Sequence, residues 1–125
     1  MIIADTSVWI EFFRGNMDYL DFMGPLIEEK KIFALECIFG ELFQGVRTKR
    51  EAYIISEYWI NLPRINDQGL WIEAGLLSSR EKWHAKGVGL IDLAIVTAAR
   101  KNHFKLWTLD KKLKGVLTNV ELFHI

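Results

Sequence analysis

The nine residues Ile2–Ile10, I-I-A-D-T-S-V-W-I, constrain the fold more than any other stretch of the chain. An apolar run ends at Asp5, two hydroxyl residues follow, and an amphipathic segment then begins. This pattern predicts a buried strand that leads into a helix, with the aspartate at the carboxyl end of the strand. Because open α/β sheets bind their ligands at that end, Asp5 is either a functional carboxylate or simply a cap of the following helix.

Composition limits the class of protein without identifying a partner. The chain has 125 residues, half of them hydrophobic, which suits one compact domain over residues 1–125. Its 16 basic and 16 acidic residues cancel, so bulk charge does not indicate nucleic-acid binding. Cys37 is the only cysteine, the first residues do not resemble a signal peptide, and charges interrupt every apolar run. We therefore expect a cytoplasmic protein with no membrane segment.

The pattern of a strand followed by a helix recurs. The apolar run 32–35 predicts a second buried strand, and residues 37–46 carry an apolar stripe at helical spacing. Glu41 lies at the border of that stripe, where a carboxylate either points into a cleft or is simply solvated. The other predicted elements are a helix capped by Asp18 and broken or bent at Gly24-Pro25, a helix over Glu51–Ile60, a short strand over Arg64–Asn66, a long helix from Asp67 to about Lys86, a strand over Phe104–Thr108 and an edge strand over Val120–Phe123.

The predicted helix from Asp67 to Lys86 is apolar on two sides. These sides are formed by Leu70, Ala74, Leu77 and Ala85 and, nearly opposite, by Ile72, Leu76 and Trp83. The second side needs covering, either by a neighbouring helix or by a second copy of the chain in a homodimer.

Two further aspartates stand at positions that suggest chemistry. Asp92 precedes an almost wholly apolar helix and projects on the same side as Ile95 and Val96, where an unpaired charge would be costly. This placement predicts a partner for Asp92 or a bound metal ion. Asp110 follows the strand over Phe104–Thr108 and so repeats the arrangement of Asp5. Its alternative roles are to cap a short helix or to pair with nearby lysines.

Four carboxylates would converge if the strands preceding Asp5 and Asp110 are neighbours and the helices bearing Glu41 and Asp92 pack at the same edge. Several carboxylates with no zinc-like set of Cys and His ligands suit Mg²⁺ or Mn²⁺. Such ions promote phosphodiester hydrolysis by activating water and stabilising the leaving oxygen. The pattern therefore predicts a metal-dependent phosphodiesterase.

Four segments together resemble one known family. They are I-I-A-D-T-S-V-W-I at Asp5, G-E-L-F-Q-G at Glu41, L-I-D-L-A-I-V-T-A-A at Asp92 and W-T-L-D at Asp110. In this order and spacing the chain resembles the PIN-domain ribonucleases, specifically the VapC-type toxins. The resemblance implies a three-layer α/β/α sandwich on a mainly parallel sheet, an Mg²⁺- or Mn²⁺-dependent endoribonuclease, a homodimer and a cognate antitoxin that blocks the site. It assigns catalysis and metal binding to Asp5, Glu41, Asp92 and Asp110, with Thr6 and Thr108 as supporting hydroxyls.

A basic rim is expected to hold the RNA phosphates around the acidic centre. Its candidates are Arg47, Lys49, Arg50, Arg100, Lys111 and Lys112, with Lys101 and Lys114 as further possibilities. Glu36 departs from the family pattern and either adds charge near the site or faces solvent. The main competing function is a PIN-like adapter that binds RNA or protein without cutting. A phosphatase with Asp5 as nucleophile is disfavoured because Ser7 stands where a second aspartate is needed, and no mid-chain strand ends in the aspartate of a receiver domain.

Overall fold

The computed structural model describes residues 1–125. Helices dominate it, and a small parallel sheet organises them. The elements are β1 (Ile2–Ala4), α1 (Thr6–Phe13), α2 (Met17–Glu28), α3 (Glu36–Gln44), α4 (Lys49–Asn61), α5 (Leu70–Glu81), a 3₁₀ helix (Trp83–Lys86), α6 (Leu90–Asn102), β2 (Lys105–Trp107) and α7 (Lys111–Val116).

The sheet is parallel throughout. β1 pairs with β2 so that Ile3 lies opposite Leu106. Single parallel bridges extend the sheet on both sides, and they join Ile2 to Ile32, Ala34 to Arg64, and Leu106 to Leu122. Five chain segments therefore lie side by side, with β1 in the middle, and their carboxyl ends share one edge. The predicted strands at residues 32–35, 64–66 and 120–123 are present only as these short bridged segments.

One contiguous hydrophobic core surrounds the sheet. β1 is fully buried, and α6 buries every residue from Leu93 to Ala99, as expected for a central helix that is apolar on nearly every face. Trp9 lies at the centre of an aromatic cluster with Phe12, Phe13 and Phe39. Since these rings pack against each other, they stabilise the fold. No helix combines the length and apolarity needed to cross a bilayer.

The region predicted as one helix from Asp67 to Lys86 differs from that prediction. Asn66 accepts a hydrogen bond from the Gln68 backbone, and Gly69 adopts a positive φ of 76°, so α5 begins only at Leu70. At the other end Lys82 adopts a left-handed conformation and the chain continues as a 3₁₀ helix. This change of direction buries Trp83, which was wrongly assigned to the outer apolar side.

The second helix also differs from its prediction. Its amino-terminal cap is Asn16, whose side chain accepts from the Asp18 backbone, and not Asp18 itself. The helix continues through Gly24 and Pro25 to Glu28. Pro25 is exposed, so the backbone carbonyl that lacks its partner at this turn has access to water.

Candidate active site

Asp5 occupies the turn between β1 and α1 and is almost completely buried. Its Oδ1 accepts hydrogen bonds from the Ser7 hydroxyl at 2.5 Å and from the Val8 backbone at 3.3 Å, and its Oδ2 accepts from the Thr108 hydroxyl. Burial raises the pKa of Asp5, and these hydrogen bonds partly oppose that effect. Asp5 therefore caps α1, as the simpler interpretation held, and it is also fixed to the end of β2.

Glu41 lies one helix away, on α3, and is half-buried. Its Oε1 accepts a hydrogen bond of 2.7 Å from the Thr6 hydroxyl. The first residue of α1 thus orients a carboxylate from the middle of α3. Glu41 is held by the protein and is not the freely solvated glutamate of the alternative interpretation.

Asp92 lies in the first turn of α6 and is half-buried. Its pKa is raised to about 6, first by burial and then by the negative charges of Asp110, Asp5 and Glu41. Lys112 opposes this rise. The structure therefore brings the other three predicted carboxylates close enough for their charges to act on Asp92.

Asp110 follows β2 and caps α7, because its Oδ1 accepts from the backbone amides of Lys112 at 2.7 Å and Leu113 at 3.4 Å. The Asp110 backbone amide in turn donates to the Thr108 hydroxyl at 3.0 Å. Thr108 consequently links Asp110 to Asp5. The capping alternative is realised here too, together with the position beside Asp92.

Ser7 is not among the predicted site residues, yet its side chain joins the two strand ends. Its hydroxyl donates to Asp5 and accepts from the Leu109 backbone amide at 3.0 Å. A hydroxyl two residues after a strand-end aspartate is the only local signal for this role. The contact with a residue 102 positions away has no signature in the spacing of the chain.

The residue types fit a hard divalent cation, although the side chains do not enclose one. No three acidic, histidine or cysteine side chains meet at the spacing of a metal site. Both oxygens of Asp5 are engaged by hydroxyl groups, and Glu41 is bound by Thr6. The donors are nevertheless all oxygen atoms, and the raised pKa of Asp92 reports a surplus of negative charge that a cation would relieve.

The predicted basic rim divides into two groups. Arg47 lines a groove of about 410 Å³ that also contains Glu41, and exposed Lys49 and Arg50 begin the next helix. Lys111 and Lys112, also exposed, follow Asp110 directly and so lie beside the carboxylates.

Arg100 and Lys101 lie elsewhere, at the carboxyl end of α6, whereas Asp92 is in its first turn. Arg100 donates to Glu121 at 2.7 Å and stacks on Trp83 at 5.0 Å, and Lys101 pairs with Glu73 at 2.9 Å. The prediction that Arg100 belongs to the rim is therefore not supported by its position. Glu36 is exposed at the start of α3.

These observations define a class of protein: an α/β domain with two carboxylates at the ends of its parallel strands and two more on the helices α3 and α6. A family comparison identifies the class more closely, since the model for the PIN domain matches residues 2–116. The chain belongs to the PIN domain family. The predicted fold, an α/β/α arrangement on a parallel sheet, is confirmed.

Solved structures of toxin–antitoxin complexes share the fold. VapBC2 from Rickettsia felis, bound to a DNA fragment from its promoter, has a TM-score of 0.72 at 18% identity, over 98% of this chain and 96% of that one. FitAcB from Neisseria gonorrhoeae has a TM-score of 0.61 at 18% identity, over 90% and 89% of the two chains. FitAB bound to the IR36 DNA fragment has a TM-score of 0.64 at 17% identity, over 98% and 92%. No curated protein sequence matches the chain.

Proposed function

We propose that the protein is a metal-dependent endoribonuclease that hydrolyses RNA phosphodiester bonds and acts as the toxin of a toxin–antitoxin pair. The observation that carries the proposal is the gathering of Asp5, Glu41, Asp92 and Asp110 at the carboxyl edge of a PIN-domain sheet. A phosphodiester cannot approach such a cluster without a cation, because both carry negative charge.

Mg²⁺ or Mn²⁺ is the cofactor we propose for Asp5, Glu41, Asp92 and Asp110. When bound, such an ion activates a water molecule and stabilises charge on the scissile phosphate. The protein's own hydroxyl groups orient the ligands: Thr6 positions Glu41, and Thr108 with Ser7 positions Asp5.

RNA phosphates further from the centre need cations from the protein. Five exposed basic residues are candidates. Arg47 lines the groove that contains Glu41, and Lys49 and Arg50 follow it in the chain; Lys111 and Lys112 follow Asp110. We propose that these residues hold the flanking phosphates.

We propose two protein partners, an antitoxin and a second copy of the chain. We also propose that residues 1–125 form a single domain and that the protein acts in the cytoplasm. Likeness to structures solved as toxin–antitoxin complexes supports the antitoxin. The outer side of α5 supports a homodimer, because Trp71, Ile72 and Leu76 remain exposed and no neighbouring helix covers them.

A PIN-like adapter that binds RNA or protein without cutting is the second candidate. It is favoured by the absence of three carboxylates at metal-site spacing. An adapter has no reason to gain stability from a divalent ion, and this difference separates the two functions.

Thermal unfolding in EDTA, Mg²⁺ or Mn²⁺ tests the proposal, because a ligand that binds only the native state raises its stability, by about 2.7 kcal/mol at 100 times Kd. We expect Mn²⁺ to stabilise the wild type but not Asp92→Asn. Asp18→Asn is the matched control, since Asp18 is also a first-turn aspartate but is exposed on α2. The same three proteins are then assayed for RNA cleavage, which only Asp92→Asn should lose. A wild type that neither gains stability from Mn²⁺ nor cuts RNA would contradict the nuclease and favour the adapter.

A further inference from the structure

We propose that a cavity beside the carboxylates binds the base of the RNA nucleotide that adjoins the cleaved phosphodiester, so that this cavity selects the cleavage position. The inference rests on the proposed ribonuclease function. The cavity lies between α2, α7 and the carboxyl ends of β2 and the edge segment at Leu122, and its volume is about 230 Å³.

Aromatic rings line one part of this cavity. Tyr19 on α2 stacks on Trp107 with ring centres 5.8 Å apart and an angle of 14° between the planes. Phe123 packs on Trp107 as well, at 5.0 Å. Trp107 is buried, whereas Tyr19 and Phe123 are partly accessible, so Trp107 holds the other two rings in place. Pre-ordered aromatic rings are the usual means by which proteins hold unpaired bases.

The charge of the cavity suits a nucleotide. Lys114 lines it, is exposed and forms no ion pair in the protein, and His124 is a second exposed nitrogen-bearing side chain there. No acidic side chain is among the lining residues, although Asp110 lies only four positions before Lys114. A phosphate that the carboxylates would repel therefore finds a cation next to the aromatic rings.

The cavity adjoins the site of Asp5. Thr108 contributes to both sites, because its hydroxyl binds Asp5 while the same residue lines the cavity. Adjacent strands of a sheet are about 4.8 Å apart, and the cavity is lined by residues at the end of β2, the neighbour of β1, and at the end of the segment beyond it. A nucleotide in the cavity would therefore direct its neighbouring phosphate towards Asp5.

The size of the cavity favours one base over a larger ligand. Pockets for drug-sized molecules measure about 300–1,000 Å³, and this cavity is smaller. A peptide helix would need a continuous apolar groove, which the lysine and histidine side chains interrupt. A single stacked base with its phosphate at Lys114 satisfies both the volume and the chemistry.

Binding of the four nucleoside 5′-monophosphates, followed by ¹H–¹⁵N NMR of the wild type without metal, tests the cavity independently of cleavage. We expect shifts at the Trp107 indole and at the amides of Leu109 and Lys114, with unequal affinities for the four bases. Tyr19→Leu should weaken binding about tenfold, as expected for loss of stacking, whereas Tyr19→Phe should bind like the wild type. Tyr53→Leu, on the exposed face of α4, is the control.

The role of Lys114 is tested by comparing nucleosides with nucleoside monophosphates. Lys114→Gln should weaken the monophosphates severalfold and leave the nucleosides unchanged. Lys30→Gln is the control, because Lys30 precedes the segment at Ile32 and so lies at the opposite edge of the sheet.

Cleavage distinguishes failure of the cavity from failure of the proposed function. In the ribonuclease, Tyr19→Leu should raise KM and change the base preference beside the cut, while Tyr19→Phe preserves both. Monophosphates that bind the cavity of a protein that cuts no RNA would overturn the nuclease and keep the cavity. An active nuclease whose cavity resonances do not shift, and whose cleavage preference survives Tyr19→Leu, would overturn the cavity instead.

Discussion

The turn after β1 and the first turn of α6 each present an aspartate to the same site, but the protein treats them differently. Asp5 is almost completely buried, and both its oxygens accept hydrogen bonds, from Ser7, Val8 and Thr108. Asp92 is half-buried, and besides burial the negative charges of Asp110, Asp5 and Glu41 raise its pKa. Asp5 is held by hydrogen bonds from the protein, whereas the charged form of Asp92 is disfavoured by its surroundings.

Two carboxylates of one cluster therefore affect the stability of the native state in opposite ways. A buried carboxylate that accepts several hydrogen bonds stabilises the native state through them. A carboxylate that faces like charges destabilises the native state until a cation binds. The two aspartates should therefore respond in opposite directions when each is neutralised in the absence of metal.

The largest expected effect is that of Asp5→Ala. The substitution removes the α1 cap and leaves the Ser7 and Thr108 hydroxyls and the Val8 amide without their acceptor, so we expect a loss of about 2–4 kcal/mol in the free energy of unfolding. Asp5→Asn keeps one acceptor oxygen and should lose less. Urea denaturation in EDTA measures both. An Asp5→Ala protein as stable as the wild type would contradict the structural role of Asp5.

Asp92→Asn should instead stabilise the metal-free protein. The folded-state pKa of about 6 lies above the ordinary aspartate value of 3.8, so the native state binds more protons between these values and its stability falls as pH rises through them. Asparagine does not titrate, and we expect it to add about 1–2 kcal/mol at pH 7, with the gain disappearing towards pH 4. The raised pKa of Asp5 leaves part of the pH dependence in the variant.

Urea denaturation from pH 4 to pH 8 in EDTA checks this expectation. A variant less stable than the wild type at pH 7 would show that Asp92 is a structural residue like Asp5. The comparison between the two turns would then fail.

Much of the site was predictable because its carboxylates occupy ends of elements that the hydrophobic pattern defines. The apolar run before Asp5 and the apolar helix after Asp92 are local signals, and both elements are present as predicted. The bonds of Thr108 and Ser7 across the strand ends connect residues more than 100 positions apart. Spacing carries no information on such pairs, and only resemblance to the family pointed to Thr108.

The errors in the fold have a common physical cause, which is backbone conformation that side-chain periodicity does not report. Residues 67–86 keep an apolar period, yet Gly69 and Lys82 adopt left-handed conformations that divide the segment.

The position of Arg100 has a different explanation. Its charge alone suggests the basic rim, but its partners Glu121 and Trp83 lie at the end of α6 away from Asp92. Tertiary contacts decided both outcomes.

The smallest expected effect is that of Lys112→Gln, which tests how a neighbouring charge changes the pKa of Asp92. The Lys112 ammonium lowers the pKa of Asp92, whereas three carboxylates raise it. The Lys112 Nζ also lies near the turn before α6, 3.5 Å from the position that a Cβ on Gly87 would occupy. Removing that charge should raise the pKa of Asp92 further and leave Asp5 nearly unchanged, since burial and the hydrogen bonds that oppose it set the pKa of Asp5 and Lys112 does not act there.

Carboxyl ¹³C NMR titration of Asp92 measures the effect of Lys112→Gln, and Lys111→Gln is the control for a neighbouring exposed lysine. Because Lys112 is exposed, salt should reduce the difference between the variants. An Asp92 that titrates identically in the wild type and in Lys112→Gln would mean that Lys112 does not act on Asp92. Burial and the three neighbouring carboxylates would then account for its raised pKa without an opposing cation.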